Sequence, residues 1–198
     1  MDKPVVVITG AAIRIGACIA RTFHAEGFSV AISYRSSQTE AMALIDELNA
    51  ARPNTAKAWT MEMTSPESVQ TFADTVLAHF GRVDVLVNNA SSFYPTAYGE
   101  SSEAQWDDLI GSNLRGAYFL TQRLSAALKE QRGAVVNLVD THADRPLPKH
   151  PIYSIAKAGL KAMTKSLAIE LAPQVGLTVS RQAPFCGRLL WRTIATLR

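Results

Sequence analysis

The chain has 198 residues, 47% of them apolar, enough for one sizeable core and too few for a second of the same size. Its formal net charge of +3 comes from one end, because residues 181–198 hold Arg181, Arg188, Arg192 and Arg198 and no acid; residues 1–180 carry 16 basic against 17 acidic side chains. That balance leaves no basic patch in the folded body, which argues against a nucleic-acid partner, and no window reaches the ~18 uninterrupted apolar residues of a membrane span.

The N-terminus runs straight into an apolar segment, so no signal peptide is expected. Cys18 and Cys186 lack metal-ligand spacing; they read as free thiols of a reducing cytoplasm, with no metal site. Residues 4–9 (PVVVIT) form a buried strand, followed by a tight turn from Gly10 to Gly16 and a helix over residues 16–26. A second strand begins at residue 28. A strand, a glycine turn, a helix and a strand within about 30 residues make a dinucleotide-binding unit, in which glycines let the backbone approach a pyrophosphate and the helix N-terminus holds the anion. The spacing is Thr-Gly-x-x-x-Arg-x-Gly, only half of the general fingerprint, and a plain β-turn-α connection is the alternative.

The second strand ends in Tyr34, Arg35, Ser36 and Ser37, with no acid before Glu40. An acid there suits a ribose 2′-hydroxyl, whereas an Arg among hydroxyls suits a 2′-phosphate, so NADPH is the expected cofactor. A solvated Ser/Arg loop is the bland alternative. An amphipathic helix over 38–50 and a strand over 56–61 follow, then a helix opened by Ser65 as N-cap with Pro66 at its first position. Residues 83–87 are a fourth strand, ending in Asn88, Asn89, Ala90 and Ser91. Strands alternating with helices predict an α/β fold: one domain with a parallel sheet, doubly wound, covered on both faces.

Ligands of such sheets bind outside the carboxyl ends of the strands. The Gly10 turn, Tyr34–Ser37, Glu62 and Met63, Asn88–Ser91 and Asp140 all converge there. Phe93 could stack on a flat heterocycle in that cleft, or simply anchor its loop to the domain. Helices are expected over 103–112 and 113–131; Asn113 either faces solvent or marks a kink near the site. Residues 133–139 form a buried strand, and a helix starts near Tyr153 after a proline-broken loop. Tyr153 and Lys157 are one turn apart, so the ammonium stacks beside the phenol and can lower its pKa toward neutrality. Asp140, at the strand's end, would complete a proton-handling site; the alternatives are a helix cap, a surface acid paired with Lys149, and an ordinary Tyr and Lys on a helix surface.

In their order and spacing the Thr9–Gly16 turn, Asn88-Asn89-Ala90, Asn113 and the Tyr153/Lys157 pair resemble the short-chain dehydrogenase/reductase family over about residues 4–179. That resemblance implies a Rossmann-like fold. It makes Tyr153 the acid/base and gives Lys157 two tasks, lowering the tyrosine pKa and holding the nicotinamide ribose; Asn113 anchors a relay water. Three departures, Asp140 where most members have Ser, Arg14 in the glycine turn, and Asn89-Ala-Ser-Ser-Phe-Tyr-Pro95, resemble the pteridine reductases. For that subfamily the resemblance implies a pterin sandwiched between Phe93 and the nicotinamide. Arg14 and Ser91 contact cofactor phosphate and substrate, while Asp140 and Tyr153 deliver a proton. Gly10, Ile15, Gly16, Tyr34, Arg35, Ser36, Ser37, Glu62, Met63, Asn89, Ala90 and Lys157 complete the implied cofactor set. The implied function is NADPH-dependent reduction of dihydropterins and of dihydrofolate, in the cytoplasm, by a homo-tetramer.

The likeness stops near residue 180. Ser180-Arg181-Gln182-Ala183-Pro184-Phe185 stands where a sixth, central strand should continue into Pro-Gly, and burying an Arg and a Gln there would cost several kcal/mol. By that resemblance the usual lid helix, last helix and last strand are expected to be missing, and, if the tail is real, the tetramer contacts with them. Residues 1–180 are thus expected to form the reductase domain and 181–198 an atypical basic tail. A shifted reading frame or a truncation near residue 180 is expected, which resequencing the coding DNA would test. Two other readings stay open: another carbonyl or enoyl reductase of the family, and an inactive dinucleotide-binding fragment.

Overall fold

A computed structural model describes residues 3–181. Six strands form one parallel sheet in the order β3-β2-β1-β4-β5-β6, with β1 Val5–Ile8, β2 Ser29–Tyr34, β3 Ala56–Thr60, β4 Val85–Asn88, β5 Ala134–Val139 and β6 Gly176–Arg181. Alternate strand residues feed two apolar layers, as the two-residue period of a strand requires. Val6, Ile8, Val30, Ile32, Val85 and Val87 pack with Phe23 of α1 (Arg14–Ala25) and Leu44 and Leu48 of α2 (Gln38–Ala51). Val7, Ala31, Leu86 and Val135 face the other way. There they meet Phe72 of α3 (Pro66–Phe80), Leu120 and Leu124 of α5 (Gly116–Glu130) and Leu160 of α6 (Pro151–Leu171). The doubly wound single-domain architecture is therefore as the alternation of elements implied.

Strand order reverses direction between β1 and β4, and a crevice opens where the two carboxyl ends part. The amide of Thr9 donates to Val87 O (3.0 Å), and the Thr9 hydroxyl accepts from the amides of Asn89 (3.0 Å) and Ala90 (2.9 Å), fixing the crevice floor. Ser65 caps α3 through the Ser68 amide with Pro66 in the first turn, as its sequence indicated.

Several boundaries differ from expectation for identifiable reasons. Helix α6 begins at Pro151, two residues early, because a proline at the first position loses no helical hydrogen bond. The segment 103–131 is broken into α4 (Glu103–Ile110), a π-helical turn (Gly111–Arg115) and α5. Strand β6 pairs with β5 from Gly176↔Ala134 to Arg181↔Val139, and it is an edge strand among the described residues. Its residues 176–180 are half-buried, and the side chains of Arg181 and Gln182, on which the expected burial cost rests, are outside those described. Gln182–Phe185 and the basic tail lie outside the described residues. Cys18 is disulfide-bonded, against the free-thiol expectation, and Cys186 lies outside the described residues. Among the described residues no helix is long and apolar enough to cross a membrane.

Candidate active site

The crevice holds a cleft of about 580 Å³. Its floor is the turn into α1. Gly10 sits at φ +60°, and a Cβ there would come within 3.0 Å of Ala90 Cα; a Cβ on Gly16 would lie 2.6 Å from Ala11 Cα and 2.8 Å from Gly10 O. Both positions need the bare backbone. Arg14 is also left-handed at φ 52°, a conformation that costs a non-glycine residue energy. The N-cap of α1 is Ile13, which supplies no side-chain bond, and the first turn has no acid, so its N–H groups face the cleft without a side-chain partner. Ile15 lines the cleft beside them. The Asn89 amide donates to Thr9 O (2.8 Å) and Gly10 O (2.9 Å): its donors brace the turn, while Ala90 packs against Gly10.

At the end of β2, Tyr34, Arg35, Ser36 and Ser37 line one end of the cleft. The exposed Arg35 lies 3.9 Å from an oxygen of half-buried Glu62 and 4.0 Å from an oxygen of half-buried Asp108. The acid absent from this stretch of sequence thus arrives from β3's end and from α4. Met63 is buried under the cleft wall.

The proton-handling group comes from β5 and α6. Tyr153 OH donates to Asp140 Oδ2 at 3.0 Å, and Asp140 Oδ1 accepts from the His142 amide (3.1 Å) and the Thr141 hydroxyl (3.0 Å). Asp140 therefore also caps a 3-10 turn (Thr141–Ala143), so the capping alternative holds alongside the contact with Tyr153. Burial pushes the Asp140 pKa up, but the bonds from His142 N–H, Tyr153 and Thr141 and the His142 charge outweigh it, and the net shift is downward. Tyr153 moves the other way: burial and the Asp140 carboxylate hold its proton far more tightly than in water, with a bond from Ser91 opposing.

The sequence leads to the expectation that Lys157 lowers the phenol's pKa; here the shift runs upward, set by burial and Asp140. Lys157 is 1% exposed, its Nζ donates to Leu138 O (3.1 Å), and the Nζ lies 5.6 Å from the Tyr153 ring centroid. Burial drops its own pKa to about 8, with Asp140 pulling the other way, so it is a weakened cation.

Asn113 sits in the π-helical turn and is buried. Its Nδ2 donates to Ser92 O (3.0 Å) and Leu109 O (3.0 Å), and its Oδ1 accepts from Ser91 Oγ (2.6 Å). A side chain bonded to the carbonyl four residues back loosens the helix ladder, and the extra residue of a π turn follows. The two aromatic rings after Ser92 divide their tasks. Tyr94 anchors the loop, donating to Asp108 Oδ2 at 2.8 Å with its pKa raised to about 12 by burial and that carboxylate. Phe93 stays 55% exposed in the cleft wall, edge-on to Tyr153 (centroids 4.8 Å) and stacked flat on His150 (4.7 Å, 8°).

Three contributors escaped the sequence reading. Ser33 Oγ accepts from the Gly10 amide (3.1 Å), His150 covers one face of Phe93, and His142 lines the cleft beside Asp140. The Asp-x-His spacing signals a side-chain-capped turn, so His142 could have been found; His150 depends on a contact between distant loops.

A family model described as short chain dehydrogenase matches residues 4–186. The chain belongs to the short-chain dehydrogenase family. Pteridine reductase 1 of Leishmania tarentolae is 37% identical to it, over 85% of this chain and 72% of that protein. The 3-oxoacyl-(acyl-carrier-protein) reductases FabG of Staphylococcus epidermidis and Staphylococcus aureus are each 34% identical, over 90% of this chain and 72% of theirs. The chain is thus an oxidoreductase of a family that uses nicotinamide cofactors. The residues present fit such a group: a bare-backbone turn at Gly10 and Gly16, an uncapped helix N-terminus beside it, and cationic Arg14 and Arg35 along one cleft.

Proposed function

We propose that this protein reduces pteridines, taking dihydropterin to tetrahydropterin with NADPH, and that its range extends to dihydrofolate. The observation that carries the reading is the Asp140–Tyr153 hydrogen bond, 3.0 Å long, at the foot of a cleft whose wall holds Phe93. A ketone needs one proton donor to its oxygen. A pterin presents flat ring nitrogens, and a carboxyl coupled to a phenol can donate to or accept from them. The similarity to pteridine reductase 1 points the same way.

In this reading Gly10, Arg14, Ile15 and Gly16 bind the pyrophosphate, and Arg35, Ser36 and Ser37 bind the 2′-phosphate, drawing Arg35 from Glu62 and Asp108. When bound, NADPH supplies the hydride. Tyr153 gives its proton to the ring nitrogen beside the reduced carbon. Asp140 holds the phenol in line, and Lys157 orients the ribose. Ser91, positioned by Asn113, contacts phosphate and substrate; Phe93 stacks on the pterin; Glu62, Met63, Asn89 and Ala90 shape the adenine side and the floor. Residues 1–180 form the reductase domain, and it assembles as a homo-oligomer.

A second reading, reduction of a 3-oxoacyl thioester, is favoured by the similarity to FabG. Measuring NADPH oxidation with dihydrobiopterin, dihydrofolate and a 3-oxoacyl thioester, beside direct binding of NADPH and NADH, separates the two. The pteridine reading predicts turnover of dihydrobiopterin and tighter binding of NADPH. Turnover of the thioester alone overturns it, and binding without any turnover leaves a dinucleotide-binding fragment.

A further inference from the structure

Phe93 is half-exposed on a loop, and an exposed aromatic changes rotamer freely unless something packs on it. Two rings pack on this one. Tyr153 meets it edge-on with centroids 4.8 Å apart, and His150 lies flat against it at 4.7 Å and 8°. Phe93 and Tyr153 line the cleft, whereas His150 is not among the described residues that do. The imidazole therefore covers the ring face turned from the cleft, and the opposite face is left open toward it.

His150 is itself held in place. Its Nδ1 lies 2.9 Å from Pro148 O; a carbonyl only accepts, so Nδ1 donates its hydrogen there and the ring is restrained from turning. Its amide donates to Leu147 O (3.1 Å), and its carbonyl accepts from the Ser154 amide (3.1 Å) at the start of α6. One residue earlier Lys149 sits at φ 63°, a left-handed conformation that costs a non-glycine residue energy, and its carbonyl accepts from the Thr96 amide at 2.7 Å. That bond ties the loop of His150 to the loop of Phe93, three residues from the ring.

We propose that His150 is a positioning residue for substrate: it backs Phe93, so that one open ring face is presented at a set angle for a flat heterocycle to stack on. This inference rests on the reading that Phe93 stacks on the pterin. Holding the ring before binding removes an ordering cost that the substrate would otherwise meet. The effect belongs to binding rather than to chemistry, because the His150 side chain makes no hydrogen bond with Asp140 or Tyr153.

The test follows dihydrobiopterin with the full chain: KM and kcat in turnover with NADPH, and Kd by calorimetry with NADP+ in its place so that nothing reacts. His150→Ala should raise KM and Kd about three- to tenfold with kcat nearly unchanged, the scale of an aromatic pair. His150→Phe, which restores a flat ring without the imidazole nitrogens, should keep both near wild type. Because His150 acts through Phe93, adding His150→Ala to Phe93→Ala should change nothing further. Wild-type or tighter binding in His150→Ala, a loss in His150→Phe equal to that in His150→Ala, or additive losses in the double variant overturn the proposal. Should His150→Ala fail to fold, His150→Leu, apolar but without a flat face, must bind more weakly than His150→Phe, and equal binding by the two overturns it. If Phe93→Ala leaves KM and Kd unmoved, the stacking reading itself fails; if Phe93→Ala weakens binding and His150→Ala does not, only the role of His150 fails.

Discussion

At the scale of single residues, Lys157 shows how burial and chemistry are linked. With its pKa at about 8 rather than 10.5, the folded protein releases a proton that the unfolded chain still binds between those two values. Stability attributable to this group therefore rises with pH through that window, by up to about 3 kcal/mol, and the cost of the buried charge is fully present below pH 8. Urea midpoints of wild type and Lys157→Met should show the wild type gaining on the variant from pH 7.5 to 10; parallel curves would contradict the shift. Phe93, half-exposed and stacked on His150, is expected to act through binding. Phe93→Ala should raise KM for dihydrobiopterin about three- to tenfold and leave kcat nearly unchanged, the scale of an aromatic pair. The sequence displayed Tyr153, Lys157 and Asp140 because helical spacing and a strand end place them. The direction of the Tyr153 shift was hidden, since it is set by how deeply the phenol is buried and by the ionised Asp140 against it.

At the scale of elements, the entry into α1 is the part of the site most exposed to small changes. The Cβ of Gly16→Ala would meet backbone at 2.6 and 2.8 Å, which cannot rotate away. Overpacking of that size costs about 1–3 kcal/mol, so NADPH binding by calorimetry should weaken about ten- to a hundredfold, or the fold should lose that much stability. Wild-type affinity with unchanged melting would show that the turn is slacker than its contacts. The glycines were legible because so few residues tolerate such turns. The π-helical turn was not: Asn113 loosens the ladder through its bond to Leu109 O and is held there by Ser92 O, on a loop 21 residues earlier. Local periodicity runs uninterrupted across that break.

At the scale of the molecule, alternation of strands and helices was enough to give a parallel, doubly wound sheet, because each strand's two faces both need cover. What it did not reveal is a polar seam through the middle. Asn88 Nδ2 donates to Asn137 Oδ1 (2.7 Å), and Asn137 Nδ2 donates to Thr164 Oγ1 (2.8 Å), tying β4, β5 and α6 behind the site. An asparagine in a run of valines looks like an exception to the strand pattern until its neighbour across the sheet is known. Asn137→Ala takes one hydrogen-bond partner from each of two buried side chains, Asn88 and Thr164, and should cost about 1–3 kcal/mol in urea unfolding. A loss under about 0.5 kcal/mol would mean that the seam contributes little to stability.

The seam, the turn and the two helix starts serve one arrangement, a carboxyl and a phenol sharing a hydrogen in a cleft for which we propose a flat heterocycle as substrate. The most direct test is kcat/KM for dihydrobiopterin with NADPH in wild type and Asp140→Ser. The proposed mechanism predicts a fall of about a hundredfold or more, the scale of a lost acid/base group. An unchanged kcat/KM would remove Asp140 from the chemistry and contradict the account.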